Sequence, residues 1–207
     1  DMYLADIGFG VFTHGMCPDC AEKYFEKRAY LESYQNICKA ISVSLSLEEV
    51  FSLIVTNVVK VMNVKASMLR LLDKNTNKLE VAAYYGLSEE YVNKGLVVTD
   101  ASIADALSGK AVSVYDIQSD PDATYKSAVE KEGIRSILSI PLRLNNEVIG
   151  VLRMYTAEPV KYSKEDLKFV TAITDQAAIA INNARIFEKT ISKEKQYLRV
   201  FEEVTKA

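Results

Sequence analysis

Three side chains that could bind a metal or carry out redox chemistry lie close together near the start of the chain. The stretch THGMCPDC contains His14, the only histidine, and two of the three cysteines, Cys17 and Cys20. Thiolates and imidazoles are typical zinc ligands, but a structural zinc site needs four, and no second Cys-x2-Cys pair follows. A redox Cys-x-x-Cys motif would need a thioredoxin-like βαβ context, which the pattern lacks. We expect no bound metal here, and partial zinc occupancy and a redox role remain as alternatives.

Nucleophilic catalysis has few candidate residues in the rest of the chain. The third cysteine, Cys38, lies on a helical apolar stripe. We expect it to be a small buried apolar residue, and a contact with Cys38 of a second copy in a dimer is the alternative. No histidine or cysteine follows it, so neither a Ser/His/Asp nor a Cys/His arrangement is available. The sequence also lacks a glycine-rich phosphate loop. We therefore predict no catalytic residues, and we expect this segment not to be an enzyme.

Composition excludes several further classes of function. The chain has 207 residues, of which 49% are hydrophobic and 26% charged, as in ordinary globular proteins. A net charge of -3 offers no basic field for nucleic acid. No apolar run reaches the roughly 20 residues of a membrane span, and an odd number of cysteines argues against a disulfide framework. We expect a cytoplasmic location, with no nucleic acid or membrane partner for this segment.

The spacing of apolar residues predicts helices at both ends and strands between them. Residues 21–45 carry a coiled-coil-like stripe, and Ser46 with Glu49 forms a capping box that should begin a second helix. Residues 66–73 and 79–86 alternate like an antiparallel strand pair, and Asn145-Asn146 predicts a tight hairpin between two further strands. Pro141 within the first of these indicates an edge position or a bulge. This order predicts an α+β fold, an antiparallel sheet with helices on one side and loops on the other.

The last segment predicts a helix that is longer than the domain. Ser163 and Asp166 resemble a capping box, and no Gly or Pro follows from Lys164 to Thr205. Such a helix is about 60 Å long, which a compact domain of this size cannot cover. We expect the N- and C-terminal helices to form a homodimer, and residues 189–207 to lead as a signalling helix to an output domain in the same chain.

Several motifs in the right order resemble the GAF domain family. The stretch GIRSILSIPLRLNNEVIGVLRMY (133–155) is followed by SKEDLKFVTAITDQAAIAINNARIFE (163–188), and LSLEEVFSLIVTNVVKVMNVKASMLRLLD resembles the family's first helix and strand. The resemblance implies a sheet of five to six strands with helices on one face. This core has no cysteine of the kind that the family's methionine sulfoxide reductases or bilin-binding domains use. It also lacks a haem ligand and the cyclic-nucleotide signature. We therefore expect no cofactor, although a small-molecule ligand is possible.

The resemblance implies a ligand pocket between the sheet and the segment from Gly86 to Gly133. Its candidate lining residues are Tyr84, Tyr85, Asp116, Tyr125, Arg135, Ser136, Arg153 and Tyr155. A buried arginine needs an anionic partner, so an anionic ligand is one interpretation. Pairing with a nearby Asp or Glu, or extension of the arginine to water, is the other. The two adjacent tyrosines fit either core and rim positions or a ligand site.

These observations predict four segments and one principal function. Residues 1–20 resemble the remnant of a preceding Cys-containing segment, 21–45 a linker helix, 46–188 the GAF-like domain and 189–207 the helical extension. The predicted function is a sensory module of a bacterial signalling protein, such as a sensor histidine kinase. A ligand-free dimerisation scaffold is the alternative, and a small-molecule enzyme is disfavoured.

Metal content tests the prediction for the THGMCPDC stretch. Because too few ligands accompany His14, Cys17 and Cys20, we expect the purified protein to contain zinc well below one equivalent. Elemental analysis of the wild-type chain and of a Cys17→Ser variant should give the same low value. One equivalent of zinc that Cys17→Ser removes would contradict the prediction.

Overall fold

The described part of the chain covers most of its second compact unit. The chain divides into units Asp1–Ser33 and Tyr34–Ala207. The computed structural model describes residues 46–73, 75–93, 101–120 and 126–205, together with 32, 34–36 and 38–39, which are helical. Of the first unit it describes Glu32 alone.

The second unit is built on an antiparallel sheet. In chain order its labelled elements are α1 (Leu47–Met62), β1 (Ala66–Asp73), β2 (Lys78–Tyr85), α2 (Glu89–Val92), α3 (Ala101–Leu107), β3 (Val112–Val114), α4 (Lys126–Lys131), β4 (Ser136–Leu144), β5 (Glu147–Thr156) and α5 (Lys164–Thr205). The sheet has five strands in the order β2-β1-β5-β4-β3, and every neighbouring pair is antiparallel. The α+β antiparallel fold expected from the sequence is confirmed.

The predicted hairpin joins β4 and β5. Asn145 and Asn146 have positive φ angles of 50° and 67°. Two consecutive left-handed residues define a type I′ turn, whose twist matches that of the flanking strands, and asparagine tolerates this conformation. Pro141 lies beyond Ser139, the last β4 residue that pairs with β3. It therefore occupies an open edge, where a missing N–H interrupts no ladder.

The two predicted capping boxes have different outcomes. Asp166 donates its backbone N–H to the Ser163 hydroxyl at 3.0 Å and accepts the Ser163 N–H at 2.8 Å, so the box at the start of α5 is confirmed. Ser46 precedes α1 as expected, but its side chain makes no capping hydrogen bond. Instead, the Leu47 N–H donates to the carboxylate of Glu188 on α5 at 3.4 Å. The first turn of α1 therefore has a partner distant in sequence in addition to its local residues.

The main hydrophobic core lies between the sheet and the helices α1 and α5. Helix α1 contributes Val50, Ile54 and Val58, and α5 contributes the stripe Val170, Ile173, Ala177, Ile181 and Ala184. The strands contribute alternate residues such as Leu69, Leu138 and Leu152. Most of these side chains are fully buried, so this helix-on-sheet layer supplies much of the hydrophobic stabilisation.

The opposite face of the sheet carries the three short helices as well as loops. Helices α2 and α4 pack with Ala66, Met68 and Tyr155, and α3 packs with Val151 and Leu79. We call this the loop-side face. The expected arrangement, with the long helices on one side and the loops on the other, is confirmed, and α2, α3 and α4 lie within the loop side.

Gly150 permits a close approach between β5 and β1, and this gives a stability prediction. A Cβ at Gly150 would lie 2.4 Å from the Arg70 carbonyl oxygen and 2.9 Å from Leu71 Cδ2. Because a backbone oxygen cannot move aside cheaply, Gly150→Ala should lower the free energy of unfolding by about 1–3 kcal/mol. Chemical denaturation measures this change. Ser113→Ala, on the exposed side of β3, is the control, and equal stability of the two variants would contradict the prediction.

Candidate functional site

A row of paired residues crosses the centre of the loop-side face. From β2 to β3 it consists of Tyr84, Met68, Arg153, Ser139 and Val112, each paired with its neighbour. Directly paired residues of antiparallel strands project from the same face, so these five side chains share one surface. The predicted candidates Arg153 and Tyr84 are therefore on the loop side, at the centre and at the edge of the sheet respectively.

Arg153 is buried at the centre of this row. Its side chain is 3% exposed, and its Nε donates a hydrogen bond to the Ser139 hydroxyl at 3.1 Å. Ser139 is itself fully buried. A buried polar group needs such partners, because removal from water is costly without them. Both residues are therefore held in place on the floor of the loop-side face.

A second arginine, Arg70, lies beside Arg153 and was missed by the sequence analysis. Arg70 pairs with Val151, two residues from Arg153 on β5, and is 6% exposed. Its Nε donates to the sulfur of Met68 at 3.2 Å. A signal was available, since Arg70 is the only charged residue before the last position of the apolar strand ASMLRLLD. Alternation places it on the same face as Met68.

Apolar clusters flank the two arginines along the strands. On one side, Tyr155 is buried and packs edge-to-face against Tyr91 of α2, with ring centres 5.9 Å apart. On the other, Val151 packs with Ile103 of α3. The arginines thus form a polar strip between two apolar patches. Such an arrangement, apolar surfaces with a few fixed polar groups, is typical of small-molecule sites.

Arg135 and Asp116 form an ion pair at the rim. The guanidinium donates to both carboxylate oxygens, at 3.0 Å from Nε and 2.7 Å from Nη2. These hydrogen bonds lower the pKa of Asp116, with help from the Gln118 amide, and raise the pKa of Arg135. Of the two interpretations offered for Arg135, the structure shows the one in which a nearby Asp is its partner. The pair joins the loop after β3 to the start of β4, where the Ile117 N–H also donates to the Arg135 carbonyl at 2.8 Å.

The remaining predicted residues are not brought together at one site. Tyr85 pairs with Ser67, whose hydroxyl bonds the Val55 carbonyl of α1, so Tyr85 belongs to the helix side, opposite Tyr84. Ser136 is buried, and alternation places it with Leu138, also on the helix side. Tyr155 is a buried core residue of the loop side. Tyr125 and the predicted metal-ligand residues His14, Cys17 and Cys20 lie outside the described residues.

Polar contacts at the surface connect the short helices α2 and α4, which cover part of the loop-side face. Ser88, the N-cap of α2, bonds the Glu132 carboxylate through its N–H at 2.8 Å and through its hydroxyl at 2.5 Å. Lys131 of α4 pairs with Glu90 of α2 at 2.7 Å, and both side chains are mostly exposed. Exposed ion pairs contribute little stability, so buried apolar contacts such as those of Val92 and Val129 hold these helices to the face.

Comparisons with known proteins identify the class and then the family. An antiparallel sheet with α1 and α5 on one face and short helices in the connections of the other defines an α+β domain. The GAF domain family model matches residues 44–182. The chain belongs to the GAF domain family, whose members are generally sensory or regulatory signalling modules.

Solved structures show the same fold at low sequence identity. The GAF domain of a phosphoenolpyruvate-protein phosphotransferase from Coxiella burnetii has a TM-score of 0.68 and 19% identity, over 77% of this chain and 96% of that one. A domain assigned to a two-component sensor histidine kinase protein from Sinorhizobium meliloti has a TM-score of 0.58 and 19% identity, over 67% and 92%. Free methionine-R-sulfoxide reductase from Neisseria meningitidis has a TM-score of 0.62 and 15% identity, over 76% and 92%. Because the identities are 19% or lower, these neighbours establish the fold alone.

Neither a metal-binding cluster nor a membrane-spanning helix is found among the residues that the structure describes. Within the described ranges, no group of three or more His, Cys, Asp or Glu side chains is arranged to hold a metal ion. None of the helices in the described part of the chain is long and apolar enough to cross a membrane.

The Asp116–Arg135 pair predicts a specific dependence of stability on pH. Because the folded state lowers the pKa of Asp116, the pair stabilises the fold above the unfolded pKa of about 3.9 and loses this effect as the pH falls further. Asp116→Asn should therefore lower the melting temperature at pH 7, and its difference from wild type should shrink between about pH 4 and pH 2. Melting curves across this range measure both effects. The exposed Asp105→Asn is the control, and a difference independent of pH would contradict the assignment.

Proposed function

We propose that this chain is a sensory GAF module of a cytoplasmic bacterial signalling protein. It binds a small molecule on the loop-side face and transmits the bound state through its long helix to an output domain in the same chain. The observation that carries this proposal is the polar strip of Arg70 and Arg153, buried between two apolar patches. Apolar surfaces that carry a few fixed polar groups are typical of small-molecule sites.

The central strand β5 is a direct mechanical link from the loop side to the long helix. Arg153 and Tyr155 lie on the loop side of β5, while Leu152 and Met154 pack in the core with α1 and α5. The connection from β5 to α5 is short and anchored, since Tyr162 packs against that core and burial raises its pKa to about 12. A shift of β5 on ligand binding would therefore displace the start of α5.

Helix α5 also has a second apolar stripe, which supports the proposed homodimer. Its sheet-facing stripe is buried through Ala184, whereas Ile179 and Ile186 are 46% and 55% exposed. They lie one heptad apart on the opposite side of the helix, as at a coiled-coil seam. Nearby, Tyr34 of the N-terminal helical segment is hydrogen-bonded with Gln176. We propose that both helices pack around a two-fold axis as a bundle, and that the ligand shifts this packing.

A ligand-free dimerisation scaffold is the alternative function. It is compatible with the same exposed stripe and needs no small molecule on the loop side. It predicts that no small molecule binds there. An enzymatic role is disfavoured, because the three cysteines and the histidine all precede residue 46.

Charge substitution on the exposed stripe tests the dimer. Because a carboxylate at a packed seam would lose its water, the double variant Ile179→Glu, Ile186→Glu should be monomeric. Light scattering coupled to size exclusion should give twice the chain mass of 23.1 kDa for wild type and one chain mass for the variant.

The control for the dimer test adds the same charge on another side of α5. Ser192 is exposed and lines a groove with Ser46 and Phe187. Ser192→Glu should remain dimeric, and circular dichroism should show that both variants keep their helical content. A monomeric wild-type chain at micromolar concentrations, or a dimeric double variant, would contradict the proposed interface.

A further inference from the structure

Three segments of the chain meet at the end of the sheet where β4 begins and β5 ends. The Ile117 N–H donates to the Arg135 carbonyl at 2.8 Å, and the Arg135 N–H donates to the Thr156 carbonyl at 2.8 Å. Backbone hydrogen bonds therefore place the three segments side by side. We call this region the junction, and it consists of the loop after β3 (residues 115–118), the start of β4 (135–136) and the connection from β5 to α5 (156–163).

Side-chain contacts link the loop after β3 to the connection that leads into α5. The Lys161 ammonium lies 5.2 Å from the centre of the Tyr115 ring, in a cation–π contact. The Arg135 guanidinium, which is paired with Asp116, is also attracted by the charge of Glu158 in the connection. Tyr115 is 51% exposed and the Arg135 side chain 42% exposed, so water weakens both interactions. They connect the segments without holding them firmly.

The junction also contains buried polar atoms that have no partner. Among the residues that the structure describes, the buried side-chain atoms without a hydrogen bond are Gln118 Nε2, the Ser136 hydroxyl and the Tyr162 hydroxyl. Their number is ordinary for a domain of this size, but each belongs to a different segment of the junction. A buried group of this kind costs free energy, because it has lost its hydrogen bonds to water. The closed junction is therefore less stable than its packing alone would make it.

We propose that the junction is a two-state element that opens as a unit while the central strands stay folded, and that its opening releases the start of α5. Opening lets water reach the side chains of Gln118, Ser136 and Tyr162, and this offsets part of the cost of exposing apolar neighbours such as Ile117.

The inference rests on the proposed function only for its role in signalling. A loop-side ligand that binds the closed junction more tightly than the open one would shift this equilibrium, and the start of α5 would follow the bound state. The opening itself needs no ligand, so it is measured on the free protein.

Hydrogen exchange of the ligand-free chain, measured by NMR, tests whether the junction opens as a unit. The reporters are the amides of Ile117 and Arg135, which join the segments, and of Leu167, which donates to the Ser163 carbonyl in the first turn of α5. The Leu152 amide reports on the core, since β5 has a paired strand on each side. We expect the three reporters to share one protection factor, well below that of Leu152.

Deletion of single unpartnered hydroxyls tests the origin of the opening. Tyr162→Phe and Ser136→Ala should each slow exchange at the three reporters about 5- to 150-fold, because the closed state no longer buries an unsatisfied group. Ser67→Ala is the matched control. Ser67 is as fully buried as Ser136, but its hydroxyl donates to the Val55 carbonyl at 2.8 Å. Its loss should destabilise the domain and should not slow exchange at the junction.

The outcomes separate this inference from the proposed function. Reporters that exchange no faster than Leu152 would overturn the inference, as would an Ile117 amide that opens without Leu167. Unchanged exchange in both Tyr162→Phe and Ser136→Ala would also overturn it. If the junction opens as described but mass spectrometry finds no small molecule that co-purifies and binds, the ligand-sensing function fails and the two-state junction stands.

Discussion

Burial of the central strand β5 on both faces is the constraint on which the rest of the domain depends. Its Leu152 and Met154 complete the helix-side core, and its Val151 and Tyr155 complete the two loop-side clusters. A strand in this position has no face left for solvent, so any charged residue on it must be held by the fold. Arg153 is that residue, and the surrounding row of side chains is arranged around it.

Local sequence patterns predicted the features that depend on nearest neighbours along the chain. The hairpin at Asn145-Asn146 and the box at Ser163 and Asp166 are set by backbone conformation and short-range hydrogen bonds, and both are confirmed. The start of α1 has a different cause. There the Glu188 carboxylate accepts from the Leu47 N–H, and a contact across so many residues leaves no local signal. Local chemistry could therefore predict where this helix begins, but not the group that stabilises its first turn.

The candidate site was only partly predictable, because its residues are defined by strand register. Tyr84 and Tyr85 looked equivalent in the sequence, yet alternation puts them on opposite faces of β2. Arg135 looked like a pocket residue, but the loop after β3 returns Asp116 to within hydrogen-bond distance. Arg70 stands out in the sequence as a charged residue within an apolar strand, but its position beside Arg153 depends on the pairing of β1 with β5. Strand pairing is a long-range property that a single sequence does not display.

Helix α5 has apolar residues on two opposite sides. The stripe of α5 that faces the sheet is buried as far as Ala184, and the exposed Ile179 and Ile186 lie on the other side. In the proposed mechanism, one side follows movements of the sheet and the other packs against a second helix. Because a continuous helix is stiff over this length, a small displacement at its sheet-facing end changes the packing along its whole exposed side. This division makes the same helix both part of the core and the proposed output of the domain.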